Sequence, residues 1–262
     1  MSTFLRAALT LLAGFFIGIH LAVGVHEVGH ALGSLVSGVK VHAIVMFTPF
    51  PAGYVLPASE AFWHVWGGVA FGTVMAVVPL AASRGLTRYP ALRLCARFTA
   101  ACCLGHNAIY LVAGSILPFG DALNMMHLGA PRWLLLVLGL PLLSGFVVVL
   151  ASCVEMLELP PAAPAWKWIV AAEFGLLPLP ALMVWMIFAS PKETAMRQPM
   201  LVLLGLYAVC FFAATYRARE GGGLRMAERG RRISWRWTST LAMFAGAVLV
   251  VGLEWLVFSH PA

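Results

Sequence analysis

Long apolar stretches, separated by short polar connections, run through the whole chain. Stretches long enough to cross a bilayer, about 20 residues each, occur at 4–35, 62–82, 98–117, 133–152, 168–189, 199–216 and 237–258. Pro178 and Pro180 interrupt the fifth stretch, and the sixth is short. No soluble domain fits between them. The pattern therefore predicts an all-α, polytopic membrane protein with about seven transmembrane helices.

The first stretch could be mistaken for a signal peptide. Arg6 precedes the apolar run, and small residues at Ala22 and Gly24 resemble a cleavage site. The apolar helical pattern, however, continues without a break through Leu32 until Gly38. We therefore expect an uncleaved first helix.

Composition agrees with this class. The chain is 61% hydrophobic and 10% charged, and its mean hydropathy is +0.91. Its five cysteines show no C-x-x-C spacing and most fall in apolar spans, so we expect them to be small packing residues.

The net charge of +7 comes mostly from arginines beside the spans. The longest polar connection, a basic loop at 217–236, is expected to orient the chain in the membrane or to contact anionic lipid. No nucleic-acid-binding module is visible, so nucleic acid is not an expected partner. We expect an integral, multi-pass protein of a prokaryotic cell membrane, with the lipid bilayer as its surroundings.

The sequence His26-Glu27-Val28-Gly29-His30 lies inside the first apolar run. Ionisable groups are costly in lipid unless partners satisfy them. On a helix, His26 and His30 share a face and can bind one metal ion, while Glu27 can reach a water at that ion. His-Glu-x-x-His is the zinc metallopeptidase pattern, with glutamate as general base. The alternative is that both histidines only hydrogen bond to neighbouring helices.

A hydrolytic zinc site needs a third protein ligand. Asp121 is the only aspartate of the chain, and Pro118 and Gly120 are expected to end the third span and turn its carboxylate inward. We therefore predict Asp121 as the third ligand. An aspartate in a solvated loop or at a helix N-cap is the alternative. The competing ligands are His106, Glu60 and His64.

With these residues the chain resembles the site-2 protease family of intramembrane zinc metalloproteases. His26, Glu27 and His30 match the family's first motif. Residues 38–46 and 51–55 resemble its membrane-associated β-hairpin, and residues 66–71 its small-residue stretch. Residues 116–118 followed by Asp121 resemble its last motif, whose aspartate is the third ligand.

The resemblance covers residues 10–125, and the chain departs from the family in its last motif. Ser115 stands where an asparagine is expected, the spacing from Pro118 to Asp121 is shorter, and Ala122 replaces a glycine. The chain therefore resembles a divergent member of the site-2 protease family. Residues 39–46 also lack a helical period, which predicts a small β-hairpin near 39–58 or, alternatively, a re-entrant loop.

The resemblance implies two regions. Residues 1–130 would form a catalytic three-helix core with the β-hairpin, and 131–262 would add about four transmembrane helices. His26, His30 and Asp121 would hold Zn²⁺, and Glu27 would be the catalytic base. His106 and Asn107 are candidate polar helpers, although interhelical hydrogen bonds are the competing role for both. The expected partner is a transmembrane protein substrate.

Two other functions are alternatives to an intramembrane protease. A non-hydrolytic membrane protein, such as a transport or scaffold subunit, could keep the metal site, but it would not need Glu27. A prenyl-protein-processing protease would need a glutamate four residues before the aspartate, where Leu117 stands.

Two arguments disagree on the side of the membrane that the His-Glu-x-x-His motif faces. The positive-inside rule places the N-terminus in the cytoplasm and the motif nearer the outside. Site-2 proteases, in contrast, have their active site nearer the cytoplasm, so the orientation is left open.

Overall fold

The computed structural model describes residues 3–38, 58–157, 170, 172–173, 175–178, 180–181, 197–219 and 237–258. This part of the chain is mostly helical, and it contains no strand. The helices are α1 (Thr3–Val36), α2 (Ala58–Met75), α3 (Val77–Gly85), α4 (Pro90–Ile116), α5 (Gly120–His127), α6 (Arg132–Glu155), α7 (Arg197–Arg219) and α8 (Trp237–Phe258). The all-α class is thereby confirmed for the described residues.

Five helical segments of the described chain are long and apolar enough to cross a membrane, and they make this a multi-pass membrane protein. They are Phe4–Val36, Phe62–Gly85, Pro90–Ile116, Arg132–Glu155 and Arg197–Arg219. A shorter apolar stretch, Thr238–Leu249, lies in α8.

Two predictions fall largely on other parts of the chain. Most of the predicted fifth span, 168–189, lies outside the described residues. The predicted seventh span, 237–258, is represented by the shorter apolar stretch Thr238–Leu249, so five of the seven predicted spans meet the criterion of length and apolarity. The predicted β-hairpin near 39–58 also lies outside them, except for Ala58, which begins α2.

Helix α1 carries the metal motif, His26 to His30, and is the longest of the described helices. Its 34 residues extend about 50 Å, more than the hydrocarbon thickness of a bilayer. It ends where the sequence pattern predicts. Gly38 adopts a positive φ of 77°, and its N–H donates to the carbonyl oxygen of Leu35 at 3.0 Å.

Helix α4 is central to the bundle and has extensive contacts with α1 and α6. It begins at Pro90, eight residues before the predicted start at Phe98. The prediction was wrong here because hydropathy penalises Arg93 and Arg97, which are nevertheless part of the helix and only 7% exposed each. The Arg97 guanidinium donates to the carbonyl oxygen of Ser152 on α6 at 3.5 Å.

Helices α7 and α8 pack against two different helices of the bundle. Helix α7 packs on α6, and α8 packs on α1, where the hydroxyls of Thr10 and Thr240 lie 2.8 Å apart.

Cys102, Cys103 and Cys153 are buried in the core, as expected for packing residues, and no cysteine of the described chain is in a disulfide.

Glycines spaced four residues apart lie where α1 contacts its neighbouring helices. A Cβ atom added to Gly18 would lie 2.8 Å from the backbone of Phe98 on α4. A Cβ atom on Gly29 would lie 2.5 Å from the carbonyl oxygen of Gly67 on α2, and one on Gly33 would overlap the carbonyl of Trp63. Helix α2 can therefore approach the metal-motif helix at backbone-to-backbone distance.

Candidate metal centre

His26 and His30 on α1 face each other in the interior of the bundle. They lie one helical turn apart, so their side chains project from the same face. His26 is 3% exposed and His30 is 8% exposed. Their Nε2 atoms are 3.0 Å apart. Together with Glu27 they form a group that could hold a metal ion, since one ligand atom from each lies within 4.8 Å of the others.

Asp121 on α5 completes a triangle of ligand atoms. Its Oδ2 atom lies 2.8 Å from Nε2 of His26 and 3.2 Å from Nε2 of His30. Ligand atoms bound at about 2.0–2.1 Å to a tetrahedral ion are about 3.3 Å apart. The three distances of 2.8, 3.0 and 3.2 Å are close to that value.

The break after α4 brings Asp121 to this position. Helix α4 ends at Ile116, and α5 begins at Gly120 after the extended residues Leu117 and Phe119. Gly120 has a φ of 52°, which favours glycine, and a Cβ atom there would lie 2.7 Å from the Tyr110 ring. The expected helix break and inward turn of the carboxylate are both present.

Asn107 fixes the tautomer of His26. The Asn107 Nδ2 group donates to the carbonyl oxygen of Val69 and to the hydroxyl of Thr73, both at 3.1 Å. Because a carbonyl only accepts, Oδ1 of Asn107 must be the atom that faces His26. Nδ1 of His26 therefore donates to Oδ1 at 2.9 Å, and in the neutral ring Nε2 carries a lone pair.

A backbone carbonyl fixes His30 in the same way. Nδ1 of His30 donates to the carbonyl oxygen of His64 at 2.7 Å, so Nε2 of the neutral ring again carries a lone pair. The His64 ring stacks on His30, with centroids 4.9 Å apart, and its Nδ1 lies 2.8 Å from the hydroxyl of Ser34. His64 thus supports the centre and does not join the ligand triangle.

The triangle requires positive charge at its middle. Burial alone would raise the pKa of Asp121, but N–H donation and positive charge from His26 and His30 outweigh it and hold that pKa well below its usual range, so the carboxylate is ionised. When both rings are neutral, as metal ligands must be, this stabilisation is absent. An ionised carboxylate and two imidazole lone pairs repel one another at these distances. One proton relieves a single contact of the three, whereas a cation at the middle relieves them all. The donors therefore fit a divalent cation.

Gly68 on α2 covers the ligand edge of both rings. A Cβ atom added there would lie 2.6 Å from Nε2 of His30 and 2.8 Å from Cε1 of His26. A side chain at this position would thus occupy the space next to the ligand atoms. In the sequence Gly68 falls within the small-residue stretch 66–71, and its place beside the triangle depends on how α2 docks on α1.

The remaining candidates lie around the triangle. His106 packs against His26 with perpendicular rings and centroids 4.8 Å apart, and Tyr110 packs on His106 at the same distance. Sequence reasoning missed Tyr110, although it lies one turn after His106. The Glu60 side chain is outside the described part of the structure.

Comparisons with protein-family models, with characterised proteins and with solved structures gave no match to this chain. The assignment of a function therefore rests on the residues and their geometry.

The orienting role of Asn107 predicts a loss of metal affinity in Asn107→Leu. This change keeps the volume of the side chain and removes the acceptor of His26, and such losses weaken metal binding about 10–100-fold. Competition with a chromophoric chelator measures the affinity of the purified protein for Zn²⁺. Asn124→Leu, at an exposed site of α5, is the matched control and should bind as wild type. Equal affinities in all three proteins would refute the role.

The position of Gly68 predicts that Gly68→Ala prevents full metal loading. The added methyl group would push His30 out of place or occupy the space of the ion, since it would lie 2.6 Å from Nε2. Elemental analysis after loading with Zn²⁺ should give less than half of the wild-type stoichiometry. Gly205→Ala is the control, because nothing lies within 4 Å of a Cβ atom there. Full loading of Gly68→Ala would contradict this geometry.

Proposed function

We propose that the chain is an intramembrane zinc metalloendopeptidase that hydrolyses peptide bonds in or near transmembrane segments of other membrane proteins. The observation that carries this proposal is the triangle of His26, His30 and Asp121 with Glu27 beside it, inside a bundle of apolar helices. Three protein ligands leave a fourth position open, as catalytic zinc sites require. A purely structural site would have no use for a general base.

His26, His30 and Asp121 would hold the ion. Bound zinc would polarise the scissile carbonyl and make a water molecule more acidic. Glu27 follows His26 directly on α1 and is half-buried, and its carboxylate lies within 4.8 Å of the histidine ligand atoms. It would take a proton from the attacking water as oxygen bonds to the carbonyl carbon, and deliver it to the amine nitrogen as the C–N bond breaks.

The membrane setting defines the class of substrate. The centre lies on α1, α4 and α5, between helices that are long and apolar enough to span a bilayer. A transmembrane helix hides its peptide groups, so a substrate segment must unwind before water can attack. We propose that residues 39–58 form a β-hairpin whose edge pairs with the extended segment. We further propose seven spans and a prokaryotic cell membrane.

The resemblance to site-2 proteases supports the same activity, and the structure offers an account of its main departure. Ser115, which stands where the family has an asparagine, donates its hydroxyl to the carbonyl oxygen of Val112 at 2.7 Å. Asn107, two turns earlier on α4, instead contacts the metal motif through His26. Regulated intramembrane proteolysis is the physiological process that this family resemblance suggests.

The general-base role predicts that Glu27→Gln retains zinc and loses cleavage. The amide has the shape of the carboxylate but cannot accept the proton, so a loss of at least about 10²-fold in rate is expected. Cleavage of a purified reporter protein with one transmembrane segment, together with elemental analysis, measures both properties. Asp121→Ala should instead bind zinc weakly, because a ligand is removed.

Two results would refute parts of this account. Cleavage that persists in Glu27→Gln would refute the mechanism, and undiminished zinc in Asp121→Ala would refute the ligand assignment. Zinc binding by wild type without cleavage of any membrane substrate would favour a metal-binding transport or scaffold protein.

A further inference from the structure

The two polar residues of α4 next to the centre have different hydrogen-bonding states. Asn107 is 1% exposed, and it already bonds to Val69, Thr73 and His26. Both of its N–H groups are therefore in use, and it has no donor left for a substrate. Its part is to orient His26.

His106, the preceding residue, has no such partners. Within the described part of the chain, no group hydrogen bonds to its ring nitrogens, although the ring is partly buried. A neutral imidazole always carries one N–H donor and one acceptor. A ligand entering the centre would satisfy this ring.

The position of His106 places it beside the ion site and outside the ligand set. Its ring is perpendicular to that of His26, with centroids 4.8 Å apart. The ligand atoms of His26, His30 and Asp121 lie 2.8–3.2 Å from one another, whereas His106 meets this set through an edge-to-face ring contact with His26. The ring is therefore next to the place where a reacting carbonyl would bind.

An aromatic wall holds this ring in place. Tyr110 packs on His106 with centroids 4.8 Å apart, and Phe119 packs on Tyr110 at 5.5 Å. Tyr110 also lies against Gly120, the residue before Asp121. The same wall thus contacts both His106 and the start of the helix that carries Asp121.

From these contacts we infer that His106 is a catalytic residue that donates its ring N–H to the oxygen of the scissile carbonyl. This inference rests on the proposed peptidase function. Negative charge develops on that oxygen when water attacks the carbon, and an oriented donor in a water-poor site stabilises it. No proton is transferred from His106. Bonds form and break as described for Glu27, and the imidazole is unchanged at the end.

The test compares His106→Phe, which keeps an aromatic ring and removes the donor, with wild type. The expected fall in kcat is about 10²–10³-fold, the loss seen when one oxyanion donor is removed, with KM and zinc stoichiometry nearly unchanged. His106→Gln, which restores an N–H, should recover part of the rate. His127→Phe, at an exposed histidine of α5, is the matched control and should cleave as wild type.

A binding measurement separates this inference from the proposed function. Acetohydroxamate offers a carbonyl oxygen to the ion, and its affinity for the Co²⁺-loaded protein can be followed by visible absorption. His106→Phe should bind it at least about 10-fold more weakly, with the Co²⁺ spectrum of the free protein unchanged. If wild type cleaves nothing but this difference appears, the peptidase proposal fails while the donor role of His106 stands.

Two results would overturn the inference. In the first, His106→Phe keeps both wild-type kcat and wild-type acetohydroxamate affinity. In the second, His106→Phe no longer binds the metal, which would make His106 a ligand or a structural support.

Discussion

Mutual repulsion among three electron-rich atoms is the constraint on which this structure depends. Nε2 of His26, Nε2 of His30 and Oδ2 of Asp121 lie within 3.2 Å of one another in the interior of the bundle. Hydrogen bonds from both Nδ1 atoms, to Asn107 and to the carbonyl of His64, direct the lone pairs toward the same point. A cation at that point turns a repulsive arrangement into an attractive one.

Backbone packing makes this arrangement possible. Helix α2 must approach α1 closely for its carbonyl at His64 to reach His30, and Gly29 and Gly67 permit that approach. Because the same approach sets Gly68 against the ligand edge, packing and chemistry are linked. Large side chains at Gly29, Gly67 or Gly68 would separate the two helices and also move the His64 carbonyl away from His30.

Local features of the site could be predicted from the sequence because they depend on helical periodicity and on chain breaks. The shared face of His26 and His30 follows from their spacing, and the inward turn at Asp121 follows from Pro118 and Gly120. The apolar runs likewise gave the membrane class. These inferences use only neighbours along the chain.

Contacts between distant residues could not be predicted in this way. Asn107 and His26 are 81 residues apart, and their hydrogen bond depends on the angle and register at which α4 crosses α1. His106 and Asn107 are adjacent in sequence but differ in their hydrogen bonding, because they occupy different faces of α4. The start of α4 was misplaced for a related reason: hydropathy cannot register that Arg93 and Arg97 are buried by other helices.

Zinc K-edge X-ray absorption on the purified, zinc-loaded protein tests the central claim most directly. We expect one zinc per chain with two imidazole nitrogens and oxygen ligands at about 2.0–2.1 Å. Sulfur ligands at about 2.3 Å, the distance of zinc bound to cysteine, would contradict it. Fewer than two imidazoles would also contradict it.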